Sequence, residues 1–252
     1  MRKHRATRII VAIGAAAWVV TGALASEAGS GKWAMHRSDE PGMVQFSLQG
    51  PRGSHGFNHI SDWPTSSFSG LDLAQDTQFT LTRDAGKFEF EGTLRDGAGA
   101  GTFQFSADPR YAQEMKALGF RGVEGKQIHF ATHDVSLSFA RDMKNANLQD
   151  LDTDKLLAFR IHGVSRKFID ELRAAGHDER DSDQLIAFRI HGVTPDFIGE
   201  LQKLGFAHPQ PDQLVNLRIH GVTPEYISQL QLRGVKNLTV DKLVAMKIHG
   251  LD

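Results

Sequence analysis

Apolar and polar residues alternate along one stretch of this chain, and the rhythm lengthens near residue 108. Val44, Phe46 and Leu48 alternate with polar neighbours, as do Phe79 and Leu81, Phe88 and Phe90, and Phe103 and Phe105. A period of two, enriched in Thr and Phe, is that of half-buried strands. Asp84-Ala-Gly86 and Asp96-Gly97 lie between those runs, where a hairpin needs residues that tolerate positive φ. Residues 43–107 are expected to form a small antiparallel sheet whose Phe-bearing face needs a cover.

Beyond Asp108 the pattern recurs every 29 residues. The phrase is Arg160-Ile-His-Gly-Val164, then Arg189-Ile-His-Gly-Val193, Arg218-Ile-His-Gly-Val222 and Lys247-Ile-His-Gly-Leu251, and His133-Asp-Val135 stands one period earlier. Such a period is the mark of stacked repeats, each burying its apolar face on its neighbours. Within each repeat, Asp152, Asp181, Gln210 and Thr239 stand where a first helix is capped, and Gly163, Gly192, Gly221 and Gly250 where it ends. Leu156, Leu157 and Ile161 are expected on one inward stripe of that helix.

A second helix follows, capped by Ser165, Thr194 and Thr223, with Phe168, Ile169 and Leu172 and their counterparts facing inward. Gly176, Gly205 and Gly234 close it. Neither helix is long enough to be stable alone. Residues 108–252 are thus expected to be an α-solenoid of helix-pair repeats, with its first helix laid over the open sheet face. The last repeat stops after its first helix, which is expected to leave an open end or an interaction site. The fold class expected is α+β.

Composition and charge narrow the setting. Arg2, Lys3, Arg5 and Arg8 precede an apolar stretch from Ile9 to Val20 and a small-residue site at Ala23-Leu-Ala25. That is the form of a secretory signal peptide, residues 1–25, cut after Ala25, and it implies a periplasmic or secreted protein. Residues 26–42, rich in Gly, Ser and charge, are expected to be a flexible lead. After residue 25 the chain has 25 basic residues against 30 acidic ones, which disfavours a nucleic-acid partner. No second long apolar run follows, so no membrane span is expected after cleavage. There is no cysteine, which excludes disulfides and thiolate chemistry.

The histidines at 133, 162, 191, 220 and 249 invite a metal hypothesis. Equivalent positions on stacked helix pairs lie about 9–10 Å apart, whereas two imidazoles sharing one zinc need nitrogens about 2.0–2.1 Å from it. They are expected instead to close helices, as are the glycines beside them, and neither metal nor cofactor is expected. Arg160, Arg189, Arg218 and Lys247 suit helix C-termini, with a basic stripe that binds an anionic peptide or polymer as the functional alternative. Asp154, Asp183, Asp212 and Asp241 stand at the other end, and inter-repeat Asp–Arg pairing would use both.

His55, His59 and Asp62 are a weaker cluster, in a segment whose glycines and Pro64 indicate a loop. Trp33 and Trp63 suit the core or a hinge, with glycan stacking as the alternative. Common catalytic signatures are missing, and the Gly97-Ala-Gly-Ala-Gly101 run, between strands, reads as hairpin flexibility.

The phrases Asp183-Gln-Leu-Ile-Ala-Phe-Arg-Ile-His-Gly-Val-Thr-Pro-Asp-Phe-Ile198 and Thr82-Arg-Asp-Ala-Gly-Lys-Phe-Glu-Phe-Glu-Gly92 resemble exported proteobacterial repeat proteins. They also resemble the extracytoplasmic tails of some receptors of the BlaR1-type (M56 metallopeptidase) antirepressor class. The resemblance spans roughly residues 43–252. The chain lacks the His-Glu-x-x-His motif of those receptors, so the resemblance implies a partner-binding or sensory domain rather than a peptidase.

The expected function is recognition of a protein or peptide partner in the envelope, without catalysis. Positions that vary between repeats are the candidate binding residues: Lys155, Gln184, Gln213 and Lys242 on first helices, and Arg173, Gln202 and Gln231 on second helices. Alternatives are a sensor acting with an envelope-stress or antibiotic-response receptor, and a glycan or peptide hydrolase centred on His55, His59 and Asp62.

Overall fold

The computed structural model describes residues 28–50, 58–74 and 77–250. The signal segment, His55 and residues 251–252 lie outside them. The strands are β1 (Ala28–Arg37), β2 (Met43–Gln49), β3 (Asn58–Pro64), β4 (Thr77–Arg83), β5 (Gly86–Arg95) and β6 (Ala98–Ala107). They form one antiparallel sheet in the order β3-β2-β1-β6-β5-β4, and helices follow it, so the fold is α+β.

Two strands were not expected. Residues 28–37, anticipated as part of a flexible lead, are β1, which lies at the centre of the sheet between β2 and β6. Its Gly-Ser-Gly start conceals alternation that begins only at Trp33 and Met35, both buried. The segment holding His59 and Asp62 is the edge strand β3, not a loop. The two hairpins fall where expected: Asp84 and Ala85 join β4 to β5, and Asp96 and Gly97, at φ 53° and 81°, join β5 to β6.

The Phe-bearing face supplies most of its own cover. Phe46 of β2 and Phe79 of β4 are four strand steps apart in the sheet order, about 19 Å if it were flat. Their ring centroids lie 6.3 Å apart, so the sheet curls until its inner face meets itself. Trp33, Phe46, Trp63, Phe68, Phe79 and Phe90 fill the interior as a continuous aromatic cluster. Both tryptophans are buried, which removes them as exposed stacking surfaces. The glycine run, which opens in the hairpin turn at Gly97, has a packing role further along β6. A Cβ on Gly101 would lie 2.7 Å from Trp33 Nε1, so β6 gives way to the indole, whose N–H donates to the Glu91 carbonyl at 3.2 Å.

The helices are α1 (Pro109–Ala117), α2 (Gln127–Thr132), α3 (Leu137–Lys144), α4 (Thr153–His162), α5 (Arg166–Ala174), α6 (Ser182–His191), α7 (Pro195–Lys203), α8 (Pro211–Ile219), α9 (Pro224–Leu232) and α10 (Val240–Ile248). It is α2, not α1, that packs on β5 and β6. The amide of Gln127, itself buried, donates to the carbonyls of Ala85 and Asp108 and so ties α2 to the sheet. Helices α4, α6, α8 and α10 contact one another in sequence, as do α5, α7 and α9.

Candidate functional site

Each phrase is built by its own residues and locked by the next one. In α4 the Asp152 carboxylate accepts from the backbone N–H of Lys155, and Gly163 ends the helix at φ 75°. The Val164 N–H then returns to the Phe159 carbonyl at 2.8 Å, burying the Val side chain under the cap. Arg189, from the following phrase, lies across this cap. Its Nε donates to the His162 carbonyl at 3.3 Å, and its guanidinium sits 5.0 Å from the centroid of the Phe168 ring.

Arg218 repeats the arrangement on the His191 carbonyl and Phe197, and Arg160 on the His133 carbonyl and Phe139. Lys247 stands 3.9 Å over Tyr226. The basic ladder therefore joins carbonyls and aromatic faces rather than the expected aspartates. The aspartates meet other partners: Asp154 pairs with Lys126 at 2.6 Å, Asp183 with Lys155, and Asp212 accepts from Gln184 at 2.6 Å.

The seven residues expected to bind a partner are engaged within the chain. Arg173 donates to the Ala146 carbonyl at 2.6 Å, Gln202 to Ala175 at 2.9 Å and Gln231 to Leu204 at 3.0 Å, each reaching back 27 residues. Lys155 and Gln184 serve the aspartates above. Gln213 Oε1 accepts from the Gln210 backbone N–H at 2.9 Å, and Lys242 donates to the Lys236 carbonyl at 3.0 Å. At Arg173, Gln202 and Gln231 the variation exchanges one long donor for another on equivalent main-chain carbonyls.

What the fold leaves unused is the Ile and the His of each phrase. Ile161, expected on the inward stripe, is 51% exposed, and Ile190, Ile219 and Ile248 are 55%, 52% and 59% exposed. One turn earlier on each helix stand Leu157, Ile186, Val215 and Val244, half-buried against the core. Residues four apart share a helix face. The outer side of the row α4, α6, α8, α10 is therefore a double line of aliphatic side chains. His162, His191 and His249 are exposed beside it, and the structure gives the rings of His162, His191 and His220 no partner among the described residues.

At the root of this face, a cleft of about 640 Å³ opens between β3 and the helices, reaching from Ile60 and Trp63 to Arg160 and Ile161. His133 continues the histidine series, but Asp134 stands where the other phrases have Gly, and it adopts the same left-handed backbone, φ 54°. Its carboxylate receives Arg83 at 3.2 Å and Arg160 at 3.0 Å. The His133 ring meets His59 edge-on, centroids 4.6 Å apart. Burial, followed by the charges of His59, His129 and Arg160, lowers its pKa to about 4, and burial also lowers that of His59.

Of the weaker cluster, the structure brings His59 into this cleft. Asp62 also lines it, from the exposed side of β3 that it shares with Ile60. The partner that sequence reasoning missed is Ser61, whose Oγ lies 2.8 Å from His59 Nε2 and accepts from the Trp63 indole. The spacing of two along a strand could have flagged it. Among the described residues no carboxylate contacts the His59 ring, and no three His, Asp or Glu side chains converge as a metal site requires. No family model, curated protein or solved structure matches the chain, so the functional reading rests on this geometry.

Proposed function

We propose that the chain is a periplasmic protein- or peptide-binding module without catalytic activity, its helical half a solenoid of 29-residue helix-pair repeats. One observation carries this reading. Large aliphatic side chains recur, more than half exposed, at the same helical position in four successive phrases. Scattered exposed apolar residues need no explanation, whereas a contiguous line of them marks an interaction surface. In the first three phrases Arg, Gly and Val are consumed by caps and stacking, and Ile is not.

The hydrolase alternative finds its best support in the Ser61–His59 pair. A serine nucleophile needs a base that is itself oriented, together with donors placed for the developing oxyanion. Behind His59 stands the His133 ring instead of a carboxylate, and the guanidinium groups of Arg83 and Arg160 are committed to Asp134. Binding is the reading that the cleft and the aliphatic face share.

The test is site-specific photo-crosslinking in the envelope. A crosslinker at position 190 should give one adduct, identified by mass spectrometry and re-formed from the two purified proteins. It should disappear in Ile161→Ser/Ile219→Ser. Absence of any adduct, or an equal yield from position 203 on α7, would overturn the proposal.

A further inference from the structure

The aliphatic face has two unlike edges. Along one, Arg189 and Arg218 spend one N–H on a carbonyl and rest on Phe168 and Phe197, and among the described residues neither meets a carboxylate. The exposed rings of His162 and His191 stand next to them. Along the other edge, Asp154, Asp183 and Asp212 are already occupied by Lys126, Lys155 and Gln184. Along α6 and α8, free positive charge therefore borders the face on one side only; at α10 Lys242, which spends one N–H on the Lys236 carbonyl, stands on the other side beside Asp241.

From this asymmetry we infer that the face takes an aliphatic segment of another protein whose flank carries carboxylates. The inference rests on the binding-module reading and names its partner class. Arginine suits the role because its remaining N–H donors can receive a carboxylate while the plane stays fixed by the ring and the carbonyl below. Prior fixation means that little side-chain entropy is lost on binding. A second copy of the chain fits less well, since Asp154 and Asp183 on the face it would offer are already in ion pairs. An anionic membrane also fits poorly, because acids exceed bases beyond residue 25.

The experiment is selection of a random-peptide library on the full chain, followed by affinity measurement of the enriched peptides at low and high salt. Enriched peptides should combine aliphatic residues with Asp or Glu, and bind at least about tenfold more weakly at high salt. They should lose binding to Ile161→Ser/Ile190→Ser/Ile219→Ser, a variant whose circular dichroism and melting temperature match the parent. Peptides enriched through the isoleucines but uncharged or basic would overturn the partner class while leaving the binding module standing. Enrichment indifferent to the isoleucine changes would overturn both. So would stronger retention on phosphatidylglycerol vesicles than by any peptide, or self-association abolished by the same changes.

Discussion

The Arg189 guanidinium covers the Phe168 ring at 5.0 Å while its Nε reaches the His162 carbonyl, so one side chain closes both the end of α4 and the face of α5. Arg189→Ala removes a cation–ring contact and a charge-assisted hydrogen bond together. We expect a loss of about 1–3 kcal/mol in denaturant unfolding. Arg189→Lys should recover part of it, as Lys247 over Tyr226 illustrates. Equal stability of the Ala variant and the parent would show that the contact contributes nothing.

The glycine at the next cap, beneath Arg218, has a measurable counterpart elsewhere. Gly192 has φ 71°, and an added Cβ would stand 2.9 Å from Arg218 Nη2, whereas a Cβ on Gly221, φ 66°, would meet nothing within 4 Å. Gly221→Ala should cost only the left-handed backbone, about 1–2 kcal/mol. Gly192→Ala should cost more, and Gly192→Val more again. In an Arg218→Ala background the two alanine costs should converge; persistence of the gap there would place its origin elsewhere.

Acid should loosen the junction between sheet and helices. The folded pKa of His133, about 4, lies below the ordinary value of 6.5, so the unfolded chain binds the proton more readily. Stability is complete above pH 6.5 and falls as pH drops toward about 4. The ring is partly exposed, and after allowance for solvent screening the loss is on the order of 1 kcal/mol. His133→Gln should flatten the stability–pH curve across that window. An unchanged slope would assign it to other groups.

Gln127 offers a fourth check. Its buried amide satisfies two carbonyls from different elements. Gln127→Met keeps the volume and removes one donor from each carbonyl, leaving the backbone N–H groups of Asp108 and Tyr111 on them, and should cost about 0.5–1.5 kcal/mol per lost bond with accelerated hydrogen exchange at the start of α2. Neutral behaviour would mean that water replaces the amide without loss.

The repeat boundaries could be read directly, because caps are local chemistry. Ser165, Thr194 and Thr223 each accept from an N–H three residues on, as the sequence implies. The turns at Asp84 and Asp96 were legible for the same reason. The strand β1 was not, since Gly29 and Gly31 carry no side chains to alternate. Nor was the outward face of Ile161, because an aliphatic residue one turn from Leu157 reads as core until the helix phase is fixed by packing. The binding candidates illustrate a related point. Sequence variation at Arg173, Gln202 and Gln231 looks like specificity, although all three end on the same kind of acceptor. Asp134 could have been noticed as the one departure from Gly at its place in the period.

The rungs that join successive phrases share a property with a consequence for length. The cross-links from Arg173, Gln202 and Gln231 and those from Arg189 and Arg218 all end on main-chain carbonyls, 27 residues back. A carbonyl is present whatever residue bears it, so excising 29 residues as one block hands each donor an equivalent acceptor. If the helical half is the proposed solenoid, we expect that it can be made shorter or longer in whole increments, with Lys155 or Gln184 re-pairing with the next aspartate, and every increment adds or removes one isoleucine from the outer face.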